Sequence, residues 1–505
     1  MIKLDGNSLD FESFIGIVKN KEKIELSSSA RKQLEVSRTY VDQAVKTGER
    51  TYSINTGFGV LSKVTIDPDS LEQLQYNLIR SHCAGVGPIH TEEESRAILL
   101  LRANVLAKGY SGVTPELVEL TIALLNHHIH PVIPTKGSVG ASGDLAPLAH
   151  IASVLIGEGE AFYQGKQMPG GEALQKAGLT PAKLGPKEGL SLINGTQQMT
   201  GLGALVLHRA EELSILADLI CTASLEGVLG SPRAYLDWIQ QTRPHPGQIA
   251  SAKLMSDCLQ ESEIFESHRD CDRVQDPYSF RCAPQVHGAS RDMIAYARRT
   301  IEIEFNAATD NPLVHPETGI LVSNGNFHGQ PVAFALDVLG MGIAELGSIS
   351  ERRIAKLVDP AFSSLPTFLI KNEGLNSGFM MHHVTAAALV SENRLLSHPG
   401  STDSVPTNVE KEDHVSMGPL CARKAKEILI NTQTILGIEA MVACQALDFR
   451  KPLKPGKGPA MLYQKIRSKV GTLDNDRYMK PDLDWILEQI SEGHLIELMQ
   501  KESLI

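Results

Sequence analysis

The second part of the chain contains long apolar stretches with the spacing of helices. They are residues 202–229, 286–308, 330–358 and 417–447. A proline follows each of the last three stretches closely, and proline interrupts a helix because it lacks an N–H and clashes with the preceding turn. A helix that is apolar around most of its circumference is buried in a bundle or in a contact between subunits. We therefore predict a long-helix bundle for this part of the chain.

The first 200 residues combine short helical stretches with connections rich in glycine and proline. Residues 161–168 have the pattern of a β-hairpin, and residues 313–322 predict a second small hairpin. Strands and helices do not alternate as they do in a chain that forms a parallel sheet. These patterns predict a mainly α protein with a smaller mixed N-terminal domain at residues 1–200 and an elongated α-helical domain at residues 201–505.

The composition narrows the classes of partner. The chain has 505 residues and a formal net charge of −11, which argues against a nucleic acid or an anionic membrane as partner. The N-terminus lacks an apolar signal region, and no uncharged apolar run approaches the length that spans a membrane, so we expect a cytoplasmic protein. The seven cysteines are scattered and never spaced as Cys-x-x-Cys, which is typical of reduced, mostly buried thiols.

The triplet Ala141-Ser142-Gly143 can make an electrophile from its own backbone. If the Gly143 nitrogen attacks the Ala141 carbonyl and two waters leave, a five-membered ring forms with Ser142 as an exocyclic methylidene. Glycine is needed because its nitrogen is unhindered by a Cβ and its backbone can bend back tightly. Serine is needed because it carries a leaving group at Cβ. The triplet alone is more often an ordinary turn, so its surroundings decide.

Those surroundings, residues 137–150, resemble the segment that carries the prosthetic group in the aromatic amino-acid ammonia-lyases. A phosphate-binding loop is disfavoured because the glycines are not spaced as Gly-x-Gly-x-x-Gly and no clear strand pattern precedes them. Further segments resemble the same family, in the family's order along the chain: residues 51–59, 191–196, 274–281, 326–329 and 412–417.

The resemblance implies a homotetramer of mostly α subunits, with active sites where three subunits meet. It also implies a 4-methylidene-imidazol-5-one formed from Ala141-Ser142-Gly143, with no external cofactor and no metal. The catalytic candidates are Tyr52, Ala141, Ser142, Gly143, Tyr278 and Glu412. The substrate-binding candidates are His82, Asn194, Gln275, Arg281 and Phe327, with Phe327 as an aromatic wall and Asn194 also beside the prosthetic group.

The residue types suit these roles. Tyr52 can remove a β-proton only if its neighbours stabilise the phenolate, because a free tyrosine titrates near pH ~10. The guanidinium of Arg281 forms a fork that matches the substrate α-carboxylate. Asn194, Gln275 and Tyr278 can hold the ring carbonyl or the carboxylate without adding charge.

Substrate choice depends on fewer positions. Ser81-His82 stands where tyrosine- and phenylalanine-selective relatives tend to carry His-Leu or Phe-Leu. His82 and Glu412 form a polar pair suited to an imidazole, whose two nitrogens need a donor and an acceptor. The resemblance therefore implies elimination of ammonia from L-histidine to give trans-urocanate. Met381-His382-His383 and Lys411 depart from the pattern of histidine-selective relatives and leave the exact side-chain preference open.

Other functions stay open at this point. A tyrosine or phenylalanine ammonia-lyase, or an aminomutase of the same superfamily, would form the same electrophile. A helical scaffold without enzyme activity would explain the apolar helices but not the triplet together with Tyr52 and Arg281. Fumarase-like lyases also build helical tetramers, but the Gly-Ser-Ser-x-Met-Pro loop typical of them is absent from the sequence.

Two groups of histidines invite a metal-site interpretation: His127, His128 and His130, and His382 with His383. No acidic residue is interleaved in the first group, and the resemblance implies no catalytic metal, so surface or capping histidines are favoured. His328 and His414 lie in lyase-like segments, where packing or a hydrogen bond to a neighbour is the alternative to a direct role.

Overall fold

The computed structural model of the chain describes residues 1–47, 54–271 and 273–505 and is predominantly helical in them. The prediction of a mainly α fold is confirmed. The α-helices in these residues are, in chain order, α1 Phe11–Val18, α2 Ser28–Thr47, α3 Leu71–His82, α4 Glu92–Ala107, α5 Pro115–Asn126, α6 Leu145–Leu155, α7 Gly170–Lys176, α8 Glu188–Ile193, α9 Gln197–Gly227, α10 Asp237–Gln241, α11 Pro246–Cys258, α12 Glu263–Ser267, α13 Tyr278–Arg281, α14 Ala283–Phe305, α15 Gln330–Leu357, α16 Pro360–Ser363, α17 Met380–Leu396, α18 Gly418–Asp448, α19 Lys457–Arg467, α20 Lys480–Ser491 and α21 His494–Lys501.

Strands are short and form small separate sheets. They are β1 Ile2–Leu4, β2 Ile24–Leu26, β3 Val86–Ile89, β4 His130–Pro131, β5 Pro134–Lys136, β6 Glu160–Tyr163, β7 Lys166–Pro169, β8 Leu313–Val314 and β9 Leu321–Val322. The pair β1–β2 is parallel, the pair β3–β5 is antiparallel, and β4, β6 and β7 form a three-stranded antiparallel sheet.

Both predicted hairpins are confirmed. Strand β6 pairs antiparallel with β7, and Phe162 lies opposite Gln167. Gln164 and Gly165, the two residues between these strands, both have positive φ, which is the backbone that a tight two-residue hairpin turn requires. Strand β8 pairs antiparallel with β9 at the second predicted position.

The four long apolar stretches are also confirmed as helices: α9, α14, α15 and α18. Their ends differ from the predicted ones by a few residues. Helix α15 ends at Leu357, shortly before Pro360, and that proline begins α16, where its missing N–H removes no hydrogen bond. Helices α15 and α18 are long and apolar enough to cross a membrane, but 67% and 78% of their most apolar windows are buried inside the protein. That burial is typical of core helices.

The chain forms two compact units that do not correspond to two continuous segments. The first unit comprises Met1–Leu205, Arg298–Asp337 and Pro399–Arg423. The second comprises Val206–Ala297, Val338–His398 and Lys424–Ile505. The boundary near residue 200 that the sequence indicates stays a prediction.

Helix α4 is a deeply buried helix of the first unit that bears on the site. It begins with a capping box, in which Thr91 Oγ1 accepts from the Glu94 main-chain N–H and the Glu94 carboxylate accepts from the Thr91 main-chain N–H. All residues from Glu94 to Ala107 are buried, including Arg102. Arg102 Nη1 donates to the main-chain oxygen of Asn194 at 2.8 Å. Helix α4 therefore holds the backbone of one of the predicted site residues.

Candidate active site

The backbone at residues 141–143 makes a tight left-handed bend in the first unit. Ser142 has φ +53° and Gly143 has φ +69°. A Cβ on residue 143 would overlap the carbonyl oxygen of Gly195, so no side chain fits there. Ala141 and Gly143 are buried, whereas Ser142 is half-buried. The bend therefore has the two properties that the cyclisation hypothesis requires, a Gly143 nitrogen unhindered by a side chain and an accessible serine.

Next to this bend lies a cavity of about 750 Å³ that brings together four of the predicted site residues. They are His82, Ser142, Asn194 and Glu412. The remaining wall is largely apolar and is formed mainly by Phe58, Val60, Leu61, Val64, Ile66, Leu74, Leu78, Leu145 and Leu190. An apolar cavity with a few convergent polar groups is the usual form of a small-molecule site.

Asn194 is held on its nitrogen side and free on its oxygen side. Its Nδ2 donates to Asp310 Oδ1 at 3.1 Å and to the main-chain oxygen of Asn311 at 3.2 Å. Its Oδ1 is buried and has no hydrogen-bond partner among the described residues. A buried amide oxygen without a partner is costly and points to a donor that binds there.

His82, at the end of α3, has a fixed tautomer. Its Nδ1 lies 2.8 Å from the main-chain oxygen of Leu78, an acceptor, so Nδ1 carries the hydrogen and the neutral ring offers Nε2 as an acceptor. Burial lowers the pKa of His82 below its usual value, against the opposing effects of the Leu78 carbonyl and the Glu412 charge. His82 is therefore neutral at pH 7.

Glu412 is oriented by the loop that precedes it. Thr407 Oγ1 donates to Glu412 Oε2 at 2.8 Å, and Asn408 Nδ2 donates to Oε1 at 3.1 Å. Asn408, Val409 and Glu410 all have positive φ, an uncommon backbone for residues with a side chain. Such strain is often found at functional sites, and here it lies next to the cavity.

Asp144 directly follows the triplet but was not among the predicted site residues. Its Oδ2 accepts from the main-chain N–H groups of Gln198 and Met199 at 2.9 and 3.0 Å, and its Oδ1 accepts from Ser138 Oγ at 3.3 Å. Its own N–H donates to the carbonyl of Gly195 at 2.6 Å. Burial raises the pKa of Asp144 to about 7, although these hydrogen bonds act in the opposite direction. Asp144 thus ties the bend to the start of α9.

Three predicted residues belong to the second unit. Arg281 and Tyr278 lie on the short helix α13, with the guanidinium carbon 4.5 Å from the Tyr278 ring centre and Nε donating to the Asp276 carbonyl at 3.0 Å. Gln275 and Arg281 line a cavity of about 210 Å³ in that unit. Tyr278 is 70% exposed. Inside α13, the Phe280 carbonyl accepts from the hydroxyl of buried Tyr235 at 2.8 Å.

The last two predicted residues are Tyr52 and Phe327. Tyr52 lies outside the described residues. Phe327 is half-buried in the turn before α15 and is not among the residues that line the cavity. The neighbouring His328 donates from Nε2 to the main-chain oxygen of His414 at 3.1 Å, and the two rings stack at 5.7 Å. His328 and His414 thus contact each other by a hydrogen bond and by ring packing, the alternative to a direct role.

The two histidine groups have neighbours that the sequence did not indicate. His130 Nε2 lies 3.1 Å from the Glu92 carboxylate, and burial is the main cause that lowers the pKa of His130 to about 4. His127 follows the last residue of α5 and caps it. In the second unit, His383 Nε2 lies 2.8 Å from the Glu351 carboxylate. Within residues 1–47, 54–271 and 273–505, no three histidine, cysteine or acidic side chains are grouped so that they could hold a metal ion.

The sequence model of a family described as "aromatic amino acid lyase" matches residues 9–468, which is most of the chain. The chain belongs to the aromatic amino acid lyase family. The resemblance that the motifs indicated is confirmed. Among its relatives, this lyase is 51% identical over 495 residues to a histidine ammonia-lyase of Myxococcus xanthus, with 98% of this chain and 97% of that protein covered.

Other known proteins are similar to this chain over nearly its full length. A histidine ammonia-lyase of Caldanaerobacter subterraneus is 48% identical over 504 residues, covering 100% of this chain and 99% of the relative. The crystal structure of histidine ammonia-lyase from Trypanosoma cruzi is 40% identical with a TM-score of 0.92, covering 99% of this chain and 95% of that one. A tyrosine aminomutase from Streptomyces globisporus is 36% identical with a TM-score of 0.94, covering 99% and 98%.

Proposed function

We propose that this chain is an ammonia-lyase that removes ammonia from L-histidine without oxidation and releases trans-urocanate. The observation that carries the proposal is the cavity in which His82 and Glu412 lie beside the 141–143 bend. The relatives named histidine ammonia-lyase are 51% and 48% identical to this chain and cover 98% and 100% of it, which supports the same substrate.

The triplet is proposed to form the 4-methylidene-imidazol-5-one, and the residues present fit that group. The bend is left-handed at Ser142 and Gly143, and Gly143 has no room for a side chain. Ser142 also lines the cavity, so its Cβ would be open to a substrate that binds there. When formed, the group supplies an electrophilic carbon that makes the elimination of ammonia possible.

The imidazole recognition is proposed from two acceptors. Neutral His82 offers Nε2, and the Glu412 carboxylate is oriented by Thr407 and Asn408. A protonated imidazole carries an N–H at both ring nitrogens and so matches two acceptors, in place of the donor and acceptor that the neutral ring needs, whereas the phenyl ring of phenylalanine carries no N–H. A phenyl ring would therefore bury polar groups of the enzyme without partners, which is the kind of mismatch that gives strong discrimination.

The remaining roles are assigned by the family resemblance. Tyr52 is proposed as the base that removes the β-proton, which requires a stabilised phenolate. Arg281 is proposed to bind the α-carboxylate, with Gln275 and Tyr278 as neutral hydrogen-bonding groups near it. Phe327 is proposed as an aromatic wall.

We also propose that the active enzyme is a homotetramer. Tyr278 is 70% exposed and Val274 is 93% exposed in the very segment that carries Arg281. Exposed apolar side chains beside functional residues are typical of surfaces that another subunit covers. Sedimentation that finds a fully active monomer would contradict this assembly. The two-domain division near residue 200 and the cytoplasmic location, with no nucleic-acid or membrane partner, remain proposals from the sequence.

The test is a panel of L-histidine, L-tyrosine and L-phenylalanine, in which the absorbance of each unsaturated acid is followed and free ammonia is measured. Histidine should give the highest kcat/KM. The intact mass of the active protein should be two waters below that of the translated chain, and Ser142→Ala should restore both waters and abolish turnover. A preference for tyrosine, or a β-amino acid as product, would favour the tyrosine lyase or aminomutase instead, whereas a full translated mass in an active preparation would exclude the prosthetic group.

A further inference from the structure

A buried ionic network contacts the side-chain nitrogen of Asn194. Lys187 Nζ lies 2.8 Å from Asp310 Oδ2, and the two side chains are 0% and 1% exposed. Lys187 Nζ also donates to Ser191 Oγ at 2.8 Å. Burial would raise the pKa of Asp310, but the charges of Lys187 and Arg102 and the hydrogen bond from Lys187 bring it below its ordinary value. Asp310 is therefore a carboxylate, which accepts hydrogen bonds and donates none.

This carboxylate determines which way the Asn194 amide points. The two groups that face the Asn194 side-chain nitrogen are Asp310 Oδ1 and the carbonyl of Asn311, and both can only accept. The reversed amide would place an oxygen against two acceptors and lose both hydrogen bonds. Only one orientation is compatible with the network, and it leaves Asn194 Oδ1 as the atom without a partner among the described residues.

We infer that Asp310, paired with Lys187, is a positioning residue that presents Asn194 as a hydrogen-bond acceptor for the amino group of the amino-acid substrate. The inference rests on the proposed function. The substrate α-carboxylate has no hydrogen to give, and the imidazole is assigned to His82 and Glu412. The amino group is the remaining donor on histidine. Asn194 then cannot donate to the carboxylate or to a ring carbonyl through its side chain, which is one of the roles that the sequence left open for it.

The experiment compares a ligand that has the amino group with one that lacks it. Asp310→Asn replaces the carboxylate by an amide, which allows the Asn194 amide to rotate. We expect kcat/KM for L-histidine to fall about 10- to 100-fold, the size of a lost hydrogen bond to a charged or reacting group. The inhibition constant of 3-(imidazol-4-yl)propanoate, which lacks the amino group, should change less than about twofold, because its contacts do not involve Asn194 Oδ1.

Ser191→Ala is the matched control. It removes the other hydrogen bond of Lys187 and leaves the Asp310–Asn194 contact in place, so both constants should stay near those of the unaltered enzyme. If Asp310→Asn does not fold because Lys187 is left unpaired, Lys187→Met combined with Asp310→Asn gives a neutral pair. For this double variant we expect the same result, a loss of kcat/KM for histidine that is much larger than the change in the inhibition constant of the deaminated analogue.

Equal weakening of substrate and deaminated analogue by Asp310→Asn would overturn the inference. So would an intact mass that keeps the two waters, because Asp310 would then act in ring formation and not in substrate binding. Whether L-histidine is the substrate is tested separately, by the substrate panel with the unaltered enzyme. If the unaltered enzyme prefers tyrosine, kcat/KM is measured with tyrosine and the inhibition constant with 3-(4-hydroxyphenyl)propanoate. The expected outcomes for Asp310→Asn are then unchanged.

Discussion

Replacing Asp144 by asparagine should change how the stability of this enzyme depends on pH. Asp144 is buried, and its pKa is raised from 3.8 to about 7, mainly by burial. A difference of about 3 pKa units corresponds to about 4 kcal/mol, at ~1.36 kcal/mol per unit. Between pH 3.8 and pH 7 the folded chain holds a proton that the unfolded chain has released. Asp144 therefore removes about 4 kcal/mol of stability as the pH rises through this window.

An asparagine at this position cannot titrate, so this loss should disappear in Asp144→Asn. The variant should fold, because the oxygen of asparagine can still accept from Gln198 and Met199 while the hydroxyl of Ser138 turns to accept from the new amide. For a chain of this length, about 4 kcal/mol corresponds to about 4 °C in Tm. The Tm of the unaltered enzyme minus that of Asp144→Asn should fall by most of this amount between about pH 4.5 and about pH 9.

Scanning calorimetry across that pH range measures the difference directly. Some groups change the stability with pH in the opposite direction, such as His130, whose pKa is lowered to about 4. They are present in both proteins, so their effects cancel in the difference in Tm. Asp69→Asn makes the same chemical change at an exposed position and is the matched control for a carboxylate that is not buried. A difference in Tm that stays constant over the whole range would refute the assignment of a buried carboxyl group that titrates near neutrality.

Three further changes test other parts of the structure. Gly143→Ala should keep both waters in its intact mass and show no turnover, because a Cβ there overlaps the Gly195 carbonyl; a two-water loss in this variant would contradict the bend. His82→Leu removes the Nε2 acceptor and should lower kcat/KM for histidine by about 10- to 100-fold (~1–3 kcal/mol), which relatively favours tyrosine or phenylalanine. An unchanged ratio of the kcat/KM values for histidine and for these two substrates would exclude His82 from substrate recognition. Tyr235→Phe leaves the Phe280 carbonyl without its donor and should cost about 1–2 kcal/mol of stability and raise KM through the loosened α13, so an unchanged KM would show that this contact does not position the helix.

Features that depend on neighbouring residues could be predicted from the sequence. The hairpin at β6 and β7 follows from two short strand patterns around Gln164-Gly165, and the long helices follow from apolar spacing. The electrophile hypothesis also needs only three consecutive residues, Ala141 to Gly143. In each case the physical cause lies within a few positions along the chain.

Features that depend on distant contacts could not be predicted in this way. In the sequence Asp310 stands two residues before Pro312, just after a helical stretch, but in the structure it pairs with Lys187, 123 positions away. Arg102 lies in an apolar helix where nothing marks it as a support for Asn194, 92 positions away. Buried charges of this kind are stable only because of partners from other segments, and the chain around each of them carries no pattern that names the partner.

The hydrogen bond from His82 Nδ1 to the Leu78 carbonyl has a consequence for substrates that differ only by a methyl group. Because Nδ1 is already engaged, in the proposed complex His82 faces the bound ring with the lone pair of Nε2, and Glu412 faces it with a carboxylate. Under this proposal the polar side of the pocket discriminates between rings by the hydrogens on their nitrogens. Histidine methylated at either nitrogen keeps an imidazole of nearly the same size but replaces one N–H by carbon. Both isomers should be poor substrates, and their turnover relative to histidine measures how far this enzyme selects its substrate by hydrogen position.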